Sequence, residues 1–281
     1  MAFCDLHTHS TASDGTVSPQ ELVEKAQQIG LGAVALTDHN TLTGLPEFVQ
    51  AARGTTVRAV PGIEVSTEYE GHEVHIVGLF LTPQAGMELE RHLKIFEQEK
   101  EENNRELVDA LNRAGYRISW ERLRQRVMGR MNRAHIAAAL TEAGYSQSPE
   151  EAFRTILRPD GDFYHPPHCP QSLQVLEMLR DLKICPVLAH PFLSLHSQQL
   201  MEFLPKAKTR GLMGMEVFYS TYDRRTTEAA QAMAEHYGLL PSGGSDFHGA
   251  IKPDIQLGVG RGNLQIPMQW LERLEEASEK L

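Results

Sequence analysis

Apolar residues in the first third of this 281-residue chain come in short runs, each ended by titratable groups. Ala2-Phe3-Cys4 leads into Asp5-Leu6-His7-Thr8-His9, and Ala33-Val34-Ala35-Leu36-Thr37 leads into Asp38-His39-Asn40. Val57 to Ile63 ends in Glu64, and Glu73 to Leu81 carries His75. Runs this short and continuous predict strands buried on both faces. Helical spacing separates them. Ser18-Pro19-Gln20-Glu21 opens a helix with a capping residue, a first-turn proline and a capping-box glutamate, and Leu22, Val23, Ala26 and Ile29 follow before Gly30 stops it. A second helix is expected from about Leu45 to Arg53.

From Pro83 the texture changes. Met87 to Asn112 is one long charged pattern with an apolar stripe of Leu89, Leu93, Phe96, Leu107, Val108 and Leu111. Shorter helical stretches follow at Trp120–Val127, Arg133–Ala143 and Pro149–Leu157, with no convincing strand among them. The alternation then resumes: strands at Ile184–Ala189, Leu212–Phe218 and Leu239–Ser242, with helices near 170–182, 197–210, 224–237 and 270–280. About seven strands alternating with helices predict a parallel sheet with right-handed crossovers, most simply closed as a barrel. The expected domains are a discontinuous barrel, 1–82 with 163–281, and an all-helical insertion, 83–162.

The chemistry falls where strands end. His7 and His9, one residue apart on an extended chain, share a face. His39, Glu64, His190, Asp246 and His248 end later strands, Asp14 follows the first through a small-residue loop, and His75 lies within the fourth. In a parallel β/α barrel those ends form the reactive rim. Nine such groups could hardly be buried together without cations and exceed what one tetrahedral ion takes, so two or three divalent ions are implied. Oxygen and imidazole donors without thiolate suit Mn²⁺, Fe²⁺ or Zn²⁺ and do not separate them.

Composition narrows the classes. Hydrophobic residues at 41% and charged residues at 23% describe an ordinary globular protein, and a net charge of −10 argues against a general nucleic-acid coat. Cys4, Cys169 and Cys185 lack metal-type spacing and read as reduced thiols. No apolar run approaches the roughly 20 residues that span a bilayer, and the first residues have no leader character, so the expected location is cytoplasmic.

His7-Thr8-His9, Ser13-Asp14-Gly15, Thr37-Asp38-His39, Gly62-Ile63-Glu64, His75, Ala189-His190-Pro191 and Gly244-Ser245-Asp246-Phe247-His248 resemble the motifs of the PHP (polymerase and histidinol phosphatase) family, in order, over 1–82 and 163–262. The resemblance implies an α/β fold, a distorted (β/α)7 barrel with an all-helical insertion. It implies one ion on His7, His9, Glu64 and Asp246, a second on Asp14, His39 and His248, and a third on Glu64, His75 and His190. Some family members have histidine at the position of Asp14. Within that family the chain is similar to insertion-bearing phosphoesterases, including nucleoside 3′,5′-bisphosphate phosphatases and a 5′-to-3′ exoribonuclease.

The implied activity is metal-dependent hydrolysis of a phosphate monoester on a small nucleotide by metal-activated hydroxide, most specifically the 3′-phosphate of a nucleoside 3′,5′-bisphosphate. Asp14, His190 and His248 are the candidate catalytic groups. The alternatives are trimming of short RNA from its 5′ end and a catalytically silent metal-binding accessory module. For substrate recognition, Arg130, Asn132, Arg133 and His135 form a candidate anion site resembling the Arg-Pro-His-(Ile/Leu)-Ala stretch of relatives, with Ala134 in place of proline. The alternative is a solvated helix end. Tyr164 offers an aromatic face or belongs to a rigid linker, and Lys252 is a candidate phosphate contact. Asp38 and Glu216 are expected to orient imidazoles from behind.

Overall fold

A computed structural model describes residues 2–126, 131, 133–158, 161–163 and 169–281. Two compact units emerge, Met1–Arg91 with Pro170–Leu281, and His92–Cys169. These boundaries differ from those expected at 82/83 and 162/163. The long helix opens at Pro83, and its first turns stay with the barrel: a Cβ built on Gly86 would touch Leu42 Cδ1 at 3.5 Å.

In the first unit, strands β1 (Phe3–Asp5), β2 (Ala33–Leu36), β3 (Arg58–Tyr69), β4 (His72–Leu79), β5 (Cys185–Leu188), β6 (Gly214–Tyr219), β7 (Leu240–Gly244) and β8 (Ile266–Pro267) form one sheet in the order β7-β6-β5-β4-β3-β2-β1-β8. Beyond β1 the chain turns back onto β7. Leu6 N–H donates to Gly243 O at 3.2 Å, Asp246 N–H to His7 O at 2.9 Å and His9 N–H to Phe247 O at 2.9 Å, so the sheet closes into a barrel.

The first helix, α1 (Pro19–Gln28), starts as expected: Ser18 Oγ accepts from Glu21 N–H while the Glu21 carboxylate accepts from Ser18 N–H. Alternate residues of β2 enter different cores. Ala33 and Ala35 join Cys4, Val60, Cys185 and Val187, whereas Val34 and Leu36 meet Leu22 and Val23 of α1 and Phe48 of α2 (Leu45–Ala51). Burial on both faces explains why these strands read as unbroken apolar runs.

Two strands depart from the expected parallel sheet. β4 runs antiparallel to both β3 and β5. The cause is a two-residue hairpin, with Glu70 at φ 51 and Gly71 at φ 82, a pair of left-handed residues that suits the twist of a tight β-turn. β3 therefore continues past Glu64 to Tyr69, so Glu64 sits inside a strand rather than at its end. The short β8, also unanticipated, pairs antiparallel with β1.

The long α3 (Pro83–Arg113) begins in the first unit and continues into the second, where α4 (Trp120–Arg126), α5 (Arg133–Glu142) and α6 (Pro149–Thr155) follow. Leu107, Val108, Leu111, Leu123, Ile136 and Leu140 build this unit's own core. The barrel then resumes with α7 (Ser172–Asp181), α8 (Pro191–Ser194), α9 (Ser197–Thr209), α10 (Arg224–His236) and α11 (Met268–Ser278). Leu271 and Leu274 of α11 enter the barrel core beside Gly214, the first residue of β6. They fill the end opposite the titratable rim. Among the described residues no helix is long and apolar enough to cross a membrane.

Candidate metal centre

All nine candidate ligands converge on one end of the barrel, and Glu64 is their hub. Its Oε1 lies 2.9 Å from His75 Nδ1 and 3.0 Å from His190 Nε2. Its Oε2 lies 3.1 Å from His7 Nε2, 3.2 Å from His9 Nε2 and 3.1 Å from His39 Nδ1. Asp246 Oδ1 faces His9 Nε2 at 3.2 Å and His248 Nδ1 at 3.3 Å. Asp14, the most exposed member, approaches His248 Nε2 at 3.4 Å, His9 Nδ1 at 3.8 Å and His39 Nε2 at 3.9 Å.

Local backbone explains the convergence. The alternation beyond β1 aims His7 and His9 to one side, their rings 5.2 Å apart. His190 and Asp246 adopt left-handed conformations at φ 27 and φ 55, unusual for side-chain-bearing residues and frequent at functional sites. Asp5 is wholly buried and accepts backbone N–H bonds from Ser245 and Gly258, both at 2.8 Å, fixing the loop that carries Asp246.

Electrostatics favour a cation here. Burial would raise the Glu64 carboxyl, but the surrounding His7, His39 and His75 hold it well below its ordinary range. His75, between Glu64 and Glu73, is pushed up to about 10 against its burial. His39 is pushed down to about 4 by burial and by charge on His9 and His75, against the pull of Glu64. The His9 ring lies 4.4 Å from that of His39 and 4.1 Å from that of His248. Both ring nitrogens of His9, His7 Nε2 and Glu64 Oε2 are buried without a hydrogen bond. Lone pairs facing carboxylates at about 3 Å fit a shared divalent ion.

Among the described residues, four compact groups could each hold an ion: His9 with Asp14, His39 and His248; His7 with His9 and Asp246; His7 with Glu64 and His190; and His39 with Glu64 and His75. Thiols stay out of the centre. Burial pushes Cys4 and Cys185 up to about 12, with Asp5 adding to the effect on Cys4.

The supporting residues are only partly those expected. Glu216 accepts from the His7 ring, with Oε1 2.9 Å from Nδ1, and from His190 N–H at 2.6 Å, so it does orient an imidazole. Asp38 does something else. Its carboxylate accepts from Ser10 N–H at 2.8 Å, Ser10 Oγ–H at 2.7 Å and Ser13 Oγ–H at 2.6 Å, tying down the loop before Asp14. Two partners escaped the sequence reading. Tyr219 Oη–H donates to Asp246 Oδ2 at 2.7 Å, and Glu73 Oε1 lies 3.1 Å from His75 Nε2. Strand alternation could have found Glu73, two residues before His75.

The substrate candidates fare less uniformly. Arg130, Asn132 and Tyr164 lie outside the described residues. Arg133 Nη2 donates to Leu157 O at 2.6 Å, and its guanidinium lies 5.6 Å from the Phe153 ring centroid. His135 is half-buried on α5. Lys252 reaches the rim, but its Nζ donates to Asp246 Oδ2 at 2.6 Å.

A profile of the PHP domain matches residues 5–157, more than half of the chain. The chain belongs to the PHP domain family. The matched stretch holds His7, His9, Asp14, His39, Glu64 and His75; His190, Asp246 and His248 lie beyond it. Whole-length similarity covers those as well. The chain is 31% identical over 263 residues to the 5′-3′ exoribonuclease Rnm of Escherichia coli, covering 90% of this chain and 87% of that protein. It is 32% identical to a phosphoribosyl 1,2-cyclic phosphate 1,2-diphosphodiesterase of Eggerthella lenta, covering 87% and 94%. It is 29% identical to a 3′,5′-nucleoside bisphosphate phosphatase of Chromobacterium violaceum, covering 88% of each. Among solved structures, a Bifidobacterium adolescentis protein inferred to be a metal-dependent phosphoesterase superposes with a TM-score of 0.71 at 25% identity, over 97% of this chain and 95% of that one.

Proposed function

We propose that the chain is a metal-dependent phosphoesterase that removes a phosphate monoester from a small nucleotide, most specifically the 3′-phosphate of a nucleoside 3′,5′-bisphosphate. The observation that carries this reading is the buried Glu64 carboxylate ringed by five imidazoles, His7, His9, His39, His75 and His190. The relatives extend it, since their names span a nucleotide phosphatase, a cyclic phosphodiesterase and an exoribonuclease, all acting on phosphate esters.

In this reading His7, His9, Glu64 and Asp246 hold one ion, Asp14, His39 and His248 a second, and Glu64 with His75 and His190 a third. Mn²⁺ is the first choice and Fe²⁺ or Zn²⁺ the others. Divalent ions there would neutralise charge on phosphoryl oxygens and acidify an attacking water. The protein's own groups divide the remaining work. Asp14, at the exposed edge, meets substrate and water first. His248 Nδ1–H donates to Asp246 O at 2.9 Å, which turns Nε2 toward Asp14 as a ligand rather than an acid. His190 presents Nε2 to Glu64 Oε1 at 3.0 Å, so it too stands as a ligand, and the proton for the leaving oxygen is left to water at the rim. Substrate selection is assigned to the helical segment 83–162.

Trimming of short RNA from the 5′ end is the second reading, favoured by the 31% identity to the exoribonuclease. Phosphate and nucleotide release should be followed with Mn²⁺ on nucleoside 3′,5′-bisphosphates, histidinol phosphate, a cyclic nucleotide phosphodiester and 5′-phosphorylated oligoribonucleotides, with Asp246→Asn as the blank. Preferential release from the bisphosphate supports the first reading, and stepwise mononucleotide release from the oligonucleotide replaces it with the second. Metal-loaded protein that hydrolyses none of them overturns both.

A further inference from the structure

β6 is the barrel strand between β5 and β7, and it supplies none of the nine candidate ligands. It nevertheless touches three of them. Glu216 takes the ring of His7 and the backbone N–H of His190, and Tyr219 takes the far oxygen of Asp246. Residues three apart on a regular strand point to opposite faces. Here they do not, because the pairing with β7 slips: Glu216 opposes Ser242, Phe218 opposes Gly243 and Tyr219 opposes Gly244. Val217 is the extra residue of a β-bulge, a device that re-aims side chains near functional sites. Phe218 packs instead on Trp270, ring centroids 4.7 Å apart.

We propose that the β6 bulge makes this strand a positioning element that sets which atoms His7, His190 and Asp246 present to bound metal. The inference rests on the metal-centre reading above. Glu216 at His7 Nδ1 fixes the proton on that nitrogen and leaves Nε2 with its lone pair facing Glu64 and Asp246. The same carboxylate anchors the backbone of His190, whose φ of 27 needs an external restraint. Tyr219 and Lys252 both occupy Asp246 Oδ2, so Oδ1 is the oxygen turned to the imidazoles. Tyr219 and Glu216 are almost wholly buried, so water does not replace these bonds when they are cut.

The test is Mn²⁺ affinity and stoichiometry of the full chain, measured by competition with a chromogenic chelator and read separately from turnover. Tyr219→Phe removes one hydroxyl, and Glu216→Gln removes one acceptor with its charge. Each is expected to weaken Mn²⁺ binding by roughly 10–100-fold, the range for outer partners of metal ligands, with an unchanged far-ultraviolet dichroism spectrum. In Glu216→Gln, nitrogen-15 spectra of the metal-free protein should show the His7 ring losing its single tautomer. Phe218→Leu, on the other side of the bulge, should lower the melting temperature and leave affinity within twofold. Wild-type affinity in both site variants, or an equal loss in Phe218→Leu, overturns the proposal. Retained hydrolysis has no part in that decision: loss of affinity without phosphoesterase activity in the parent chain would sink only the functional reading.

Discussion

Gly244 lies directly beneath His7: a Cβ built on the glycine would fall 2.1 Å from His7 Cβ and 2.7 Å from His7 N. No rotamer change relieves a clash with backbone, so the β1 and β7 segments must separate to admit even alanine. Gly244→Ala is therefore expected to destabilise the barrel by about 1–3 kcal/mol and to displace His7 from the centre. Thermal unfolding together with metal content after dialysis checks both effects. An alanine variant with parental melting temperature and metal content would refute the close approach.

Among the described residues, Glu64 is the single carboxylate common to five imidazoles. Glu64→Gln keeps its shape and removes its charge, leaving the rings without their shared counter-charge. Hydrolysis should fall by more than the ~100-fold typical of losing an outer partner if Glu64 is the inner ligand proposed above. Bound metal per chain should fall with it, as elemental analysis of the dialysed variant would show. Parental metal content would remove Glu64 from its central place.

Much of this centre was legible because strand ends concentrate it. His7, His9, His39, His190 and Asp246 follow short apolar runs, and burial on both faces makes such runs recognisable. Ser18 and Glu21 likewise announced α1 through local bonds alone. What stayed hidden depends on pairing between distant segments. The reversal of β4 turns on Glu70 and Gly71 at positive φ, and glutamate is a weak turn signal. Tyr219 reaches Asp246 through a bulge that appears only when β6 is aligned with β7. Asp38 adjoins His39 in sequence, yet its oxygens turn toward Ser10 and Ser13.

Arg133 looked like an anion-binding group because it opens a helix beside polar neighbours. Its guanidinium bonds Leu157 O and lies against Phe153. A hydrogen bond from a charged donor contributes about 1.5–3 kcal/mol. Arg133→Ala should destabilise the helical unit on that scale while leaving hydrolysis of a small aryl phosphate, which has no nucleotide to recognise, within about twofold. Denaturant unfolding and steady-state kinetics separate the two effects. Parental stability would release Arg133 from its structural role.

Asp38 offers a selective way into the centre. Its carboxylate accepts three bonds from Ser10 and Ser13, and the loop so held delivers Asp14 to His9, His39 and His248. The other groups, built on Glu64 and Asp246, gain nothing directly from it. In Asp38→Ala the loop loses its acceptor, Asp14 gains freedom, and the ion proposed on Asp14, His39 and His248 should leave first. Metal titration of this variant should therefore show one weakened site per chain, by about tenfold or more, beside sites of parental affinity. Asp38→Asn keeps an acceptor oxygen for Ser10 N–H and should fall between the two. Uniform weakening of every site would mean that Asp38 supports the barrel rim as a whole, whereas unchanged binding would detach the loop from metal capture altogether.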